Sequence, residues 1–269
     1  MTEPFQPQTE SVLSIKKWET IIPGLRAGVT TRKGGFSTPP YDSLNVGLHV
    51  PDKKEDVAAN RQKLSKVIDF PLESWVSGEQ SHKTNVHIVS SADKGKGAKA
   101  YETSLTDIDG LITKDSGVLC TAFFADCVPM FFLDPVTGHT GIAHAGWKGT
   151  VHGIAREMVE TFKQLGTVSN DLMAVIGPCI SRDAYEVDEH VIRHIPDQWF
   201  NKTVTAKDNG RFLLDLKQLN IEILLQQGVL RRNIDVTHYC TFCEESLFFS
   251  HRRDNGKTGR MLGFIGFRN

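Results

Sequence analysis

The sequence predicts a mixed-sheet protein of the α+β or α/β class. Three observations carry this. Short runs rich in Val, Ile and Phe recur along the chain, bounded by turn residues. One pair, Met130 to Leu133 and Thr140 to His144, flanks the turn Asp134-Pro135-Val136-Thr137-Gly138 as a hairpin. Three stretches with helical spacing are interspersed among the runs.

The elements follow in chain order. Residues 1–20 begin with Pro4, Gln6, Pro7 and Gln8 without periodicity and read as a loosely ordered N-terminal arm. Residues 53–68 place Val57, Leu64 and Ile68 on one helical stripe. Residues 91–104, rich in Gly, Lys and Ser, read as an exposed loop. Val118 to Phe124 and the hairpin follow as strands. Residues 149–165 put Val151, Ile154, Ala155, Met158, Val159, Phe162 and Leu165 at helical spacing, with Gly166 as a stop. Leu172 to Ile176 is a further strand, and 201–211 is a polar gap. Residues 215–227 form the third helix, with Asp215 as N-cap and Gly228 beyond its end. Ile234 to His238 and Met261 to Phe267 close the list of strands.

A chain of 269 residues allows one large domain or two small ones. With no repeat and no low-complexity linker, residues 21–269 are expected to form a single catalytic domain. The 31 Lys and Arg balance 32 Asp and Glu, so the basic excess expected of a nucleic-acid binder is missing. No apolar stretch reaches the roughly 20 residues of a membrane span, and the polar N-terminus does not read as a secretory signal. Five cysteines argue against a disulfide framework in a chain of this size. The expectation is a cytoplasmic protein that handles small molecules, with no membrane or nucleic-acid polymer as partner.

Candidate chemistry concentrates in residues 119–153. Cys127 lies at one strand end and His144 at the end of the hairpin's return strand, so the two can stand side by side at a cleft. His82 in Gln80-Ser81-His82-Lys83 is a third candidate. One Cys and two His suit a catalytic zinc site with an open position, although no spacing rule joins them. A Cys–His hydrolase using Cys127 as nucleophile and His144 as base, near Asp126, stays open. The turn Ala145-Gly146-Trp147-Lys148-Gly149-Thr150 links a strand to a helix. Its glycines and Lys148 suit a phosphate cradle, or simply a turn that packs the helix. Arg32 and Asn45 flank another Gly-rich turn and suit phosphate and sugar or base, against a plain hairpin turn with solvated charges. The segment from Phe249 to Asp254, with Arg252 and Arg253, and Thr258-Gly259-Arg260 offers oxyanion-binding forks or surface charge. Cys240-Thr241-Phe242-Cys243 is a lone CxxC. Glu244 and Glu245 after it are expected to raise its thiols. The string HxE…PCxxC of zinc deaminases is absent. A multicopper oxidase needs about ten ligands, many in HxH pairs, and the ten histidines contain no HxH.

The strings TTRKGGFS, SLNVGLHVPD, NRQKL, QSHKTNVH, DGLIT, ADCVPMFFLD, GIAHAGWKG, IGPCISRDAYEV and SHRRDNGKTGRM together resemble the YfiH/YlmD-type family over residues 25–267. Its members were catalogued as polyphenol oxidases (laccase-like) and are now regarded as purine nucleoside phosphorylases. The resemblance implies a single-domain α+β fold with layered mixed sheets flanked by helices. It implies a zinc site, or copper under the older description, held by His82, Cys127 and His144. It also implies phosphorolysis of adenosine, inosine, guanosine and methylthioadenosine, with deamination of adenosine. On that reading the Gly146–Thr150 turn with Lys148, Arg32 or Arg253 would neutralise phosphate. Asn45 and Arg61 would orient substrate.

Overall fold

The computed structural model describes residues 2–269. Two six-stranded sheets lie face to face, and helices cover both outer faces. The first sheet runs, in spatial order, Gln6–Pro7, Val12–Ser14, Leu25–Thr30, Met261–Phe267, Val118–Phe124 and Trp75–Ser77. The second runs Ile234–Val236, Met173–Ile176, Val128–Leu133, Thr140–Ala145, Gly110–Thr113 and Val86–Ile88. Both are mixed: Trp75–Ser77 pairs parallel with Val118–Phe124, and Val86–Ile88 parallel with Gly110–Thr113, among antiparallel neighbours. A small sheet of Glu186–Val187, Phe212–Leu214 and Val204–Ala206 stands apart from them. The architecture is α+β, in one domain.

The strands read as continuous apolar runs because both faces of each sheet are buried. Alternation then sorts their side chains between layers. Phe131 and Leu133 point into the core between the sheets, against Phe124, Val29 and Ile265. Met130 and Phe132 point the other way, onto Ile154, Met158, Phe162 and Leu219 of the covering helices. On the first sheet Leu119, Phe123, Leu262 and Phe264 meet Leu64 and Ile68 of the helix Lys54–Ile68. At ~0.8 kcal/mol per buried CH₂, these three apolar clusters are the main favourable contribution to folding.

The expected helices form, with two adjustments. Asp215 caps Leu216–Gln226 by accepting the Gln218 N–H at 2.9 Å. The stretch 149–165 is not one helix. It breaks at Gly153, whose φ of +94° favours glycine, into Trp147–His152 and Ile154–Gln164. The polar gap 201–211 also carries structure: the end of helix Asp197–Thr203 and the strand Val204–Ala206.

The N-terminal expectation is corrected. Residues 2–20 are not a loose arm. They contribute two strands to the edge of the first sheet and the start of a helix, Lys16–Ile21. Phe5, Val12, Leu13, Ile15 and Trp18 are buried. The Gln and Pro residues at the start hide this in the sequence. The segment is ordered by pairing to Leu25–Thr30, a contact that periodicity within the arm does not report.

Candidate metal centre and cleft

The hairpin supplies two of the three expected ligands. Val128 pairs with Ala145 and Pro129 with His144, so Cys127, just before its strand, comes to lie beside Gly146. His82 arrives on the loop after Trp75–Ser77, in a left-handed conformation with φ of 60°. The ligand atoms of His82, Cys127 and His144 lie within 4.8 Å of one another. Cys127 Sγ is 3.9 Å from His82 Nε2, and the two imidazole rings meet edge to face at 4.8 Å. Donors on a tetrahedral zinc ion stand roughly 3.5 Å apart, so small side-chain shifts bring this set onto a metal. Gly146 is required by the same crowding. A Cβ there would lie 2.8 Å from His82 Cδ2 and 2.9 Å from Cys127 Sγ.

Asp109 organises the site from below and was not singled out by sequence reasoning. Its side chain is fully buried. It accepts the backbone N–H groups of Ser81, His82 and Lys83 at 3.2, 3.2 and 2.9 Å. It also takes the Nδ1 of His144 at 2.8 Å. One carboxylate thus fixes the loop that carries His82 and the ring orientation of His144, leaving His144 Nε2 for a ligand. A carboxylate behind a ligating histidine is the usual support of a metal site.

The charges match that role. Burial would push the Cys127 thiol up, but His144 and His82 beside it pull it down to about 6. Burial would push the His144 imidazolium down, but the Cys127 thiolate and Asp109 raise it to about 9. Without metal the pair is therefore thiolate and imidazolium at neutral pH, and a cation entering the site displaces the His144 proton. The sign gives a test. Alkylation of Cys127 in metal-stripped protein should rise to half its maximum near pH 6, and added zinc should suppress it. A half-rise near pH 8.5–9, the range of an ordinary thiol, would contradict the pairing.

The trio opens onto a cleft of about 550 Å³, within the range of small-molecule sites. Its walls include the aromatic side chains of Tyr101, Phe123, Trp147 and Tyr185. His49 packs between Tyr101 and Phe123, with ring centroids at 5.8 and 6.1 Å. Burial, then Arg260 and Arg61, drive His49 down to about 4, so it is neutral at physiological pH. Lys148, Arg252 and Arg260 line the cleft as cations. Lys148 lies over Trp147, and Arg252 over Tyr185. Asp126 is the acidic lining residue, and its oxygens accept Thr241 Oγ1 at 2.6 Å and the Arg252 N–H at 2.8 Å.

Other expected substrate residues stand elsewhere. Arg32 donates to the carbonyls of Asp42 and Glu245 and pairs with the Asp42 carboxylate. Arg61 is 1% exposed and donates to the carbonyls of Val46, Gly97 and Ala98. It backs Phe123 at 4.8 Å rather than reaching the cleft. Arg253 donates to Thr241, Phe242 and Phe248 and pairs with Asp254. Asn45 is fully buried and bonded to Asp52, Gly47 and Arg260. These four hold loops by saturating backbone groups, and none of them lines the cleft. In the turn expected to cradle phosphate, Gly146 makes room for His82 and Cys127, and Lys148 faces the cleft. The segments containing Arg252 and Arg260 were visible in sequence, but no local signal distinguishes them from Arg253.

The CxxC expectation holds for one thiol. Cys243 is pushed up, first by its contact with Cys240. Cys240 moves the opposite way: burial would raise it, but the Ser181 N–H at 3.3 Å and Cys243 stabilise its thiolate.

Comparisons with known proteins place the chain in a family and among solved structures of the same fold. A family model described as multi-copper polyphenol oxidoreductase laccase matches residues 26–268. The chain is 45% identical to purine nucleoside phosphorylase YlmD of Bacillus subtilis, covering 98% of each chain. It is 45% identical to the protein of the same name from Geobacillus stearothermophilus, covering 91% of each. Among solved structures it resembles the Bacillus licheniformis hypothetical protein YfiH at TM-score 0.95 and 44% identity, covering 99% of this chain and 100% of that one. The Geobacillus YlmD structure matches at TM-score 0.94 and 41% identity over the whole of both chains.

Proposed function

The chain belongs to the family described as multi-copper polyphenol oxidoreductase laccase, and within it we propose that it is a zinc-dependent purine nucleoside phosphorylase. The single observation that carries this reading is the union of a three-ligand Cys–His–His group with a cleft that is both aromatic-walled and cationic. Aromatic walls suit a purine, and the cations suit phosphate. The curated relatives named purine nucleoside phosphorylase support it.

The proposed substrates are adenosine, inosine, guanosine and S-methyl-5′-thioadenosine. An oxygen of hydrogen phosphate attacks C1′ of the ribose, and the C1′–N9 bond breaks with its electron pair going to the purine. The proton leaving the phosphate balances the one the purine takes up, so the products are free base and ribose 1-phosphate, or 5-methylthioribose 1-phosphate from S-methyl-5′-thioadenosine. His82, Cys127 and His144 would hold the zinc. When bound, it would supply Lewis-acid charge at the cleft. Asp109 orients two of those ligands. Tyr101, Phe123 and neutral His49 form an uncharged surface for the base. Lys148 and Arg252 add positive charge for phosphate. Adenosine deamination fits the same cleft in a second pose, in which water replaces the C6 amino group and ammonia leaves. A reducing, cytoplasmic setting belongs to this reading, since Cys127 must stay a free thiolate.

Laccase chemistry is the poorer fit to the donor set. Among the described residues, one group of three His, Cys, Asp or Glu is close enough to share a metal, whereas multicopper oxidation needs several such groups. The deciding experiment incubates the zinc-loaded protein with inosine and phosphate and follows hypoxanthine and ribose 1-phosphate by chromatography. Equimolar release of both is expected. No release of base from any of the four nucleosides, or hypoxanthine with free ribose only, would refute the reading.

A further inference from the structure

We propose that Arg260 is the phosphate-binding residue of this cleft, its guanidinium gripping the attacking oxyanion beside the Cys–His–His group; this rests on the phosphorylase reading above. Arg260 stands one residue before the strand Met261–Phe267 and lines the cleft. Its Nη1 donates to the carbonyls of Thr258 and Gly259 at 2.9 and 3.0 Å. Those bonds anchor one edge of the fork. Among the described residues no carboxylate lies within ion-pair distance of it. Cys127 and Asp126 are near enough to be felt electrostatically, but neither forms an ion pair with it, and both oxygens of Asp126 already accept from Thr241 and Arg252.

The surroundings are built for this side chain. Asn45 Oδ1 accepts the backbone N–H of Arg260 at 2.9 Å and that of Gly47 at 3.0 Å, while Asn45 Nδ2 donates to Asp52. A Cβ on Gly47 would sit 2.8 Å from Arg260 Cγ. A Cβ on Gly259 would sit 2.6 Å from Phe249 Cζ and 2.9 Å from Asn45 Cβ. The segments SLNVG and TGRM, far apart in sequence, thus pack against each other and against the stem of Arg260.

Arg260 is a better anion site than its neighbours for a physical reason. Lys148 and Arg252 are exposed and keep their hydration. Arg260 is half-buried with no carboxylate in ion-pair contact, which favours the arrival of an anion. A planar fork also matches phosphate with two parallel hydrogen bonds.

The test uses zinc-loaded wild type, Arg260→Gln, Arg260→Lys and Gly47→Ala, the last crowding the Arg260 stem. Steady-state phosphorolysis of inosine is measured against phosphate and against inosine, with zinc content and binding of inorganic phosphate by equilibrium dialysis. Arg260→Gln is expected to raise KM for phosphate about 10- to 100-fold. Its KM for inosine and its zinc content should stay near wild type. Arg260→Lys should recover part of the loss, because charge without the fork binds less well. Gly47→Ala should shift the same constant in the same direction, which keeps the test alive should Arg260→Gln fold poorly. An unchanged KM for phosphate in folded, zinc-replete Arg260→Gln, or a defect confined to inosine, would overturn the assignment while leaving phosphorolysis intact. A wild type that binds phosphate through Arg260 yet releases no base would instead overturn the phosphorylase reading and keep the anion site.

Discussion

Replacing Cys127 by alanine is expected to empty the metal centre and to lower inosine phosphorolysis by more than about 100-fold. Loss of a partner behind a metal ligand already costs about 10- to 100-fold in affinity or activity, and loss of a ligand costs more. Cys127 is the only anionic member of the trio, and its thiolate is what makes a cation welcome between two imidazoles. The side chain lies at the cleft rather than in an apolar cluster, so the variant should melt near wild type. Elemental analysis and a thermal melt, run beside the kinetics, separate these effects. A Cys127→Ala protein that kept zinc and full activity would refute the assignment. The same experiment addresses the Cys–His hydrolase alternative. Chelation of wild type should abolish activity and zinc should restore it, whereas a cysteine nucleophile would be indifferent to both.

Asp109→Asn is expected to weaken zinc binding by about 10- to 100-fold and to destabilise the fold by about 3 kcal/mol. Asparagine has nearly the same shape, so packing alone predicts little change. The electrostatic argument predicts much more. The carboxylate receives three backbone N–H groups and the His144 Nδ1. An amide offers one oxygen, and its NH₂ must face donors instead, leaving N–H groups of residues 81–83 unsatisfied. The loop carrying His82 then loses its anchor, and His144 loses the partner that orients it. Competition with a chromophoric chelator gives the zinc affinity, and urea denaturation gives the stability. Retention of wild-type zinc affinity would show that Asp109 does not position the ligands.

Both predictions turn on residues of very different legibility. Cys127 and His144 were readable because a short hairpin ties them together. A turn at 134–138 and two apolar strands of matching length leave few registers, and the observed one sets Pro129 against His144. His82 had no such local tie: residue type made it a third candidate, and the family resemblance joined it to the pair. Asp109 falls in the string DGLIT, but nothing local gives its role. Its importance comes from the pairing of Gly110–Thr113 with Thr140–Ala145 and of Val86–Ile88 with Gly110–Thr113, which sets the 81–83 loop over its carboxylate. The N-terminal segment failed for a similar reason: Trp18 and Val12 are buried by sheet edges far along the chain.

The arginines mark the boundary most clearly. By itself the sequence determined the strand runs, the capped helix at Asp215, the balanced charge and the hairpin with its cysteine and histidine. These are local properties, set by periodicity, turn chemistry and residue type within about ten positions. Only the tertiary structure decided which cations face the cleft. Arg32, Arg61 and Arg253 spend their guanidinium groups on carbonyls away from the cleft, whereas Arg260 ties one nitrogen to Thr258 and Gly259 and faces the cleft with no carboxylate in ion-pair contact. Whether a guanidinium is engaged depends on which carbonyls and carboxylates the fold brings within 3 to 4 Å of it. Those partners lie up to 213 residues away, as Glu245 does from Arg32. No local pattern encodes that distance, because it is closed by the stacking of two sheets and not by any one segment.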